Sequence, residues 1–295
     1  MKPTPARPTP KRRPLLHALP ANDQGRDFIV GDLHGMRALL DEQLARVDFS
    51  PEKGDRLIAV GDLVDRGPEP MGCLRLLREP WFHAVLGNHE RILLAGLGHP
   101  ERLLMKFYSL HYSRWTRQLS SDDRHELLHD LVPRLLELPL VLKVGEGPER
   151  YYVVHAGRAH GKHLINDEAM DAAHQGDGSA VHRWMEALTW SRRLAYEALT
   201  KHTGRGRHGA WEEGVSLTYV GHTVIHRPLL HRSHLFLDRG GVWSGKPDRK
   251  KGAFELLLWE HGSTVPRAPH YGRRRRGDAA SDAGADVSPS TSRRR

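Results

Sequence analysis

The chain has 295 residues, 38% of them hydrophobic, which is enough for one large domain or two modest ones with a packed core. The formal charge of +9 resembles that of a nucleic-acid binder, but residues 1–22 hold five Lys or Arg and no acid, residues 266–295 hold eight Arg against three Asp, and about −1 is left between them, so the charge says little about the body. The single Cys73 excludes an internal disulfide framework and any multi-cysteine metal site, and no apolar run is long enough to span a bilayer. Cysteine usage fits a reducing compartment, and a cytoplasmic location is expected. Arg12-Arg13 before Leu15-Leu16-His17-Ala18-Leu19 has the order of a twin-arginine export signal, but its apolar part is interrupted and short.

Residues 1–22 open with "MKPTPARPTPKRRP", proline-rich and basic, and residues 266–295 include "RRRRGDAASDAGADVSPSTSRRR"; neither buries enough apolar surface to offset chain entropy, and both are expected to be disordered tails. Between them, residues 23–265 form the expected folded body. It begins with strand and helix in alternation: "RDFIVGD", a helix over about Met36 to Val47, "RLIAVGD", a helix over about Glu69 to Arg78, "FHAVLGNH" and a helix into Leu97. Residues 101–138 read as two amphipathic helices, the second with Leu127, Leu128, Leu131 and Leu135 at helical spacing after the capping-like "SSDD", and carry no evident chemistry. Strands return at "LVLKVG", "YYVVHAG", "SLTYVGHT", "LLHRSHLFLD" and "AFELLLWE", with a helical interval over about 180–214. Residues 98–138 and 158–214 are expected to be insertions packed over the sheet.

The strand ends share a pattern: "GDLHG" (31–35), "GDLVDRG" (61–67), "GNHE" (87–90), "HAG" (155–157) and "GHT" (221–223). In a βα array these ends gather on one side of the sheet, and their glycines let the backbone turn without a Cβ in the way. The side chains brought together are Asp32, His34, Asp62, Asn88, His155 and His222, an all-oxygen and imidazole set suited to Mn²⁺, Fe²⁺ or Zn²⁺. The set is too large for one ion of low coordination number. Two ions bridged by Asp62 are the simpler reading, with Asp32 and His34 completing one and Asn88, His155 and His222 the other; a water shared between them becomes hydroxide near neutral pH, suited to in-line attack on phosphorus. Arg66 is the nearest cation for the phosphoryl oxygens. Taken singly, each motif could be a polar turn or a helix cap; the order and number of the five carry the reading.

This ordered set resembles the calcineurin-like metallophosphoesterases, and within them the phosphoprotein phosphatases of bacterial and phage type. The likeness covers about residues 27–260, since "LTWSRR" (188–193) and "LDRGGVWSGK" (237–246) are similar to later family segments. It implies an α/β sandwich of two mixed sheets flanked by helices, with helical cap insertions. It also implies that His89 is the general acid paired with Asp65, that Arg66 and Arg192 grip phosphate, and that the metals are two divalent ions, Mn²⁺ first and Fe or Zn compatible. Leu86 stands where protein phosphatases usually carry arginine, as in the related diadenosine tetraphosphate hydrolases; Asp65 is present, whereas many of those hydrolases lack an aspartate there.

The expected activity is hydrolysis of a phosphate monoester, on phosphoserine or phosphothreonine of a protein or on a small phosphorylated molecule. The second reading is a symmetrical dinucleoside polyphosphate hydrolase; a third, of another class, is a non-catalytic module binding nucleic acid through the basic tails. Other clusters carry less. His226, His231 and His234 cannot all point one way from a single strand. "GRGRHG" (204–209) reads as a cap loop, and the arginines at 273–276, lacking interleaved aromatics, as a solvated tail.

Overall fold

The computed structural model describes residues 13–176, 178–201, 209–244, 247–248 and 252–263. All of the "GRGRHG" loop but Gly209, the 273–276 arginines and most of both tails lie outside the described residues. In chain order the elements are β1 (Leu16–Leu19), β2 (Asp27–Val30), α1 (Arg37–Arg46), β3 (Arg56–Ala59), α2 (Pro70–Arg75), β4 (Phe82–Ala84), α3 (Asn88–Gly96), α4 (Leu103–Tyr112), α5 (Ser121–Glu126) and α6 (Val132–Glu137). There follow β5 (Val141–Val144), β6 (Tyr151–Val154), β7 (Ala159–His160), β8 (His163–Leu164), α7 (Asp167–Gln175), α8 (Ser179–Trp190) and α9 (Arg193–Lys201). The last are β9 (Thr218–Val220), β10 (Leu229–His231), β11 (His234–Phe236), β12 (Pro247–Asp248), β13 (Gly252–Ala253) and β14 (Leu258–Glu260).

Two mixed sheets face each other. One has the order β14-β2-β3-β4, the other β1-β5-β6-β9-β11-β10. Strand alternation builds the layers: Ile29, Ile58, Val60, Val153 and Tyr219 fill the space between the sheets, while Phe28, Val30, Leu57, Ala59, Tyr152 and Val154 turn outward against the helices. Burial on both faces explains why "DFIV" and "LIAV" read as unbroken apolar runs rather than as an alternation. β2, β3 and β4 are mutually parallel, as are β6 and β9, so their C-terminal ends collect at one edge of the sandwich. At the other end, the first residue of β2 ties the sheets together: Asp27 accepts both arms of the Arg56 fork at 2.7 Å and the Tyr151 hydroxyl at 2.5 Å.

Three expectations need correction. The body starts before residue 23: Leu15 and Leu16 are buried and β1 pairs in parallel with β5, so the run that resembled a signal core is an edge strand. "LLHRSHLFLD" is a hairpin, β10 against β11, because Arg232 and Ser233 both adopt left-handed backbone between them. His231 and His234 are therefore cross-strand neighbours, and His234 is engaged by the Arg158 N–H at 3.1 Å and the Arg232 carbonyl at 2.7 Å. The 101–138 segment is α4, a 3₁₀ stretch over Ser113–Gln118, and a longer helix in which a π-turn at Leu127–Leu131 joins α5 to α6 just before Pro133, which brings no N–H to the ladder. Leu127, Leu131 and Leu135 are buried as expected, but Leu128 is partly exposed, and α4 buries Met105 while Leu103, Leu104, Phe107 and Leu110 face outward.

Candidate active site

Three of the five strand-end motifs carry non-glycine residues on left-handed backbone. His34, Asp62, Asp65, Arg66 and His222 all have positive φ, a concentration of left-handed backbone that places five of the ten predicted site residues. A glycine beside each carboxylate makes room: a Cβ on Gly87 would overlap Asp62 Oδ1, and one on Gly221 would overlap Asp32 Oδ1. The two sheets are laced together at this edge, since His155 Nδ1 donates to the Val60 carbonyl at 2.8 Å and the His222 N–H to Asp32 Oδ1 at 2.9 Å.

These bonds fix the tautomers. His155 carries its proton on Nδ1, and His222, whose Nε2 lies 3.0 Å from the Trp190 carbonyl, carries it there. The remaining lone pairs converge: His155 Nε2 is 3.2 Å from His222 Nδ1, 2.9 Å from Asn88 Oδ1 and 3.3 Å from Asp62 Oδ1. Four acceptors thus face one another at close range, an arrangement that fits a cation. On the other side of Asp62, His34 donates from Nδ1 to the Val64 carbonyl at 2.9 Å, leaving Nε2 at 3.6 Å from Asp62 Oδ2 and 3.9 Å from Asp32 Oδ2. Two donor groups, His34 with Asp62 and His89, and Asp62 with His155 and His222, are compact enough to hold an ion each, and they share Asp62.

The electrostatics agree. Burial holds His34 and His155 below the ordinary histidine range and His222 at about 2, so these imidazoles are neutral and able to ligate. Burial and the charges of Asp238 and Asp62 push Asp32 well above the ordinary carboxylate range, and burial with the nearby Asp62 charge lifts Asp238 to about 6. Buried acids crowded in this way call for positive charge between them.

His89 differs from the other imidazoles. Burial alone lowers it, but the charges of Asp62 and Asp65 and the Asp65 hydrogen bond outweigh burial and raise it. Its Nδ1 lies 2.7 Å from Asp65 Oδ2, and Nε2 turns toward the mouth of the site, 4.0 Å from Asp62 Oδ2. Arg66 stands exposed at that mouth, with Nη1 2.7 Å from His34 Nε2 and Nη2 3.2 Å from His89 Nε2. Arg192 is also at the site, donating to the His222 carbonyl at 2.7 Å and to Thr223 Oγ1 at 3.1 Å. All ten residues expected from the motifs are therefore gathered at one edge.

A family profile, described as calcineurin-like phosphoesterase, matches residues 28–226, a span that holds all ten. The chain belongs to the calcineurin-like phosphoesterases. Among relatives of this phosphoesterase, serine/threonine-protein phosphatase 2 of Salmonella typhimurium is 28% identical over 218 residues, 74% of this chain and 88% of the relative. Serine/threonine-protein phosphatase 1 of the same organism is 30% identical over 226 residues, with the same two shares of 74% and 88%. A symmetrical bis(5'-nucleosyl)-tetraphosphatase of Chromohalobacter salexigens is 34% identical over 181 residues, 57% of this chain and 62% of the relative. As a member of that family, the phosphoesterase is a hydrolase with a candidate dinuclear site.

Four residues at the site escaped the motif reading. Glu90 accepts the N–H groups of Asp62 and Gly87 at 2.9 Å and of Leu63 at 2.7 Å, clamping two motifs together; its place three residues after Gly87 is a legible cap signal. Asp238 lies within the quoted "LDRGGVWSGK". Tyr112 and Trp115 come from the segment read as having no chemistry: the Tyr112 ring meets the His89 ring edge-on at 4.8 Å, and Trp115 Nε1 donates to Asp65 Oδ1 at 2.8 Å. Nothing in their spacing marks them.

Proposed function

We propose that this phosphoesterase hydrolyses phosphate monoesters, and that its substrate is phosphoserine or phosphothreonine on protein. Asp32, His34 and Asp62 would hold one divalent ion, Asp62, Asn88, His155 and His222 the other, with Mn²⁺ the expected metal. When bound, the ions supply positive charge to the phosphoryl group and activate the attacking water. Arg66 and Arg192 grip the phosphoryl oxygens, which draws the Arg66 fork off the imidazole nitrogens of His34 and His89. His89 Nε2 then gives its proton to the leaving alkoxide as that oxygen takes the P–O electron pair, while Asp65 holds the opposite nitrogen.

The observation that carries this reading is the Asp65–His89 pair at 2.7 Å, because an alkoxide leaving group needs a proton far more than a nucleoside polyphosphate does. Leu86, fully buried in the outer core layer, supplies no third arginine, which keeps the dinucleoside polyphosphate reading as the competitor. The deciding experiment offers the Mn²⁺-loaded protein a phosphoserine peptide and diadenosine tetraphosphate side by side. Faster turnover of the peptide is expected; preference for the dinucleotide would transfer the assignment to the second reading.

A further inference from the structure

Asp65 is completely buried, on left-handed backbone, with two carboxylate oxygens to satisfy. Oδ2 faces His89 Nδ1 at 2.7 Å, and Oδ1 accepts the indole N–H of Trp115 at 2.8 Å. Trp115 sits in the 3₁₀ stretch that follows α4, and its half-buried ring packs against the main core, so the indole is held from both ends. The chemistry of this donor is specific. An indole N–H only donates and carries no charge, so it fixes the plane of the carboxylate without neutralising it. A Lys or Arg in its place would compete with His89 for the negative charge. With no donor at all, Oδ1 would be a buried acceptor without a partner, and the carboxylate would turn or take up water to satisfy it.

We infer that Trp115 is a positioning residue for the reaction, holding Asp65 so that His89 presents Nε2 to the leaving-group oxygen. The inference rests on the reading of His89 as general acid, and it extends the working site to an element that no strand-end motif marks. On this reading Trp115 acts only through Asp65 and His89, with no contact of its own to substrate or metal. Its effect should be confined to substrates whose leaving group needs a proton, in the way that supporting hydrogen bonds around catalytic groups typically contribute about 10- to 100-fold.

The test uses the full-length chain loaded with Mn²⁺, with phosphoserine and p-nitrophenyl phosphate as substrates. Trp115→Phe should lower kcat on phosphoserine by about tenfold or more, lower it much less on the aryl ester, and leave metal content unchanged. In the double variant with His89→Asn, the Trp115→Phe loss should vanish, because the indole acts only through that histidine. In the metal-free chain, a ¹⁵N–¹H spectrum should show one indole N–H resonance that disappears in Trp115→Phe and moves in Asp65→Asn. If Trp115→Phe folds poorly, β-(3-benzothienyl)alanine at position 115 keeps the ring shape and removes only the N–H. Equal slowing of both substrates by either replacement, or additive losses in the double variant, would overturn the inference alone. Equal slowing of both substrates by His89→Asn would overturn the general-acid reading first, and the inference with it.

Discussion

Asp62 is fastened at its backbone and its side chain at once. Glu90 holds its N–H at 2.9 Å, its own Oδ1 accepts the His89 N–H at 2.9 Å, and its positive φ aims the carboxylate between two groups of imidazoles. A neutral amide bridges two cations poorly, so Asp62→Asn should lose most of both metal equivalents and all measurable turnover, as read by metal analysis of the purified protein. Two full equivalents with normal activity would dismiss the shared-ligand assignment. His89, two positions from Glu90's clamp on Gly87, is expected to behave differently. His89→Asn should keep its metals and lose about 10²- to 10⁴-fold on phosphoserine, with a much smaller loss on an aryl phosphate. A stripped metal in that variant would make His89 a ligand, a role its closeness to His34 and Asp62 also allows geometrically.

The elements that carry these residues were readable where local sequence and tertiary context agree. Three βα units are visible because each apolar run ends in a glycine and a polar residue, and each following helix has its own period; β2, β3 and β4 appear where expected. Legibility failed where a partner lies far along the chain. Nothing local in Leu16–Leu19 foretells pairing with Val141–Val144, and the hairpin between β10 and β11 turns on Arg232 and Ser233, which lack the usual Asn-Gly signal. Trp115 was invisible for the same reason: its meaning is a contact 50 positions away. The same logic governs Asp27, which joins β2 to Arg56 of β3 and Tyr151 of β6. Burial pushes Asp27 up, but the hydrogen bonds from Arg56, Tyr151 and Asn22 outweigh it and hold the carboxyl below its ordinary range. A depressed carboxyl stabilises the fold above its unfolded pKa and stops doing so as pH falls through the folded one. Asp27→Ala should lower stability at neutral pH on the order of 3 kcal/mol, since Arg56 and Tyr151 are left without their acceptor, and should show a shallower loss on acidification. Urea midpoints at pH 7 and pH 3 check both parts; an unchanged midpoint at pH 7 would mean the sheets are not tied there.

At the scale of the whole chain, basic tails flank a body that no motif reading bounded correctly at its start. Arg13 lies inside that body. Its guanidinium donates to the carbonyls of Leu135 and Leu138 at 3.0 and 2.8 Å, satisfying groups at the end of α6, and burial lowers it to about 10. Leu15 and Leu16 enter the main core, and β1 covers the edge of β5, which would otherwise present unpaired backbone groups. Two truncations separate these roles. A chain of residues 13–263 contains every site residue and every strand among the described residues, so it should unfold cooperatively and keep turnover on p-nitrophenyl phosphate within about twofold of the full chain. A chain of residues 23–263 also contains every site residue, yet it gives up two buried leucines at about 1.5 to 3 kcal/mol each together with the β1–β5 pairing. That is a large part of the roughly 5 to 15 kcal/mol that holds a domain together, so this shorter chain should melt far lower or fail to fold. Thermal unfolding and aryl phosphatase activity of both, side by side, give the answer. If residues 13–263 fold but do not turn over, the outermost tails belong to the active site; if residues 23–263 melt at the same temperature as the full chain, β1 is an ornament on the sandwich and not one of its strands.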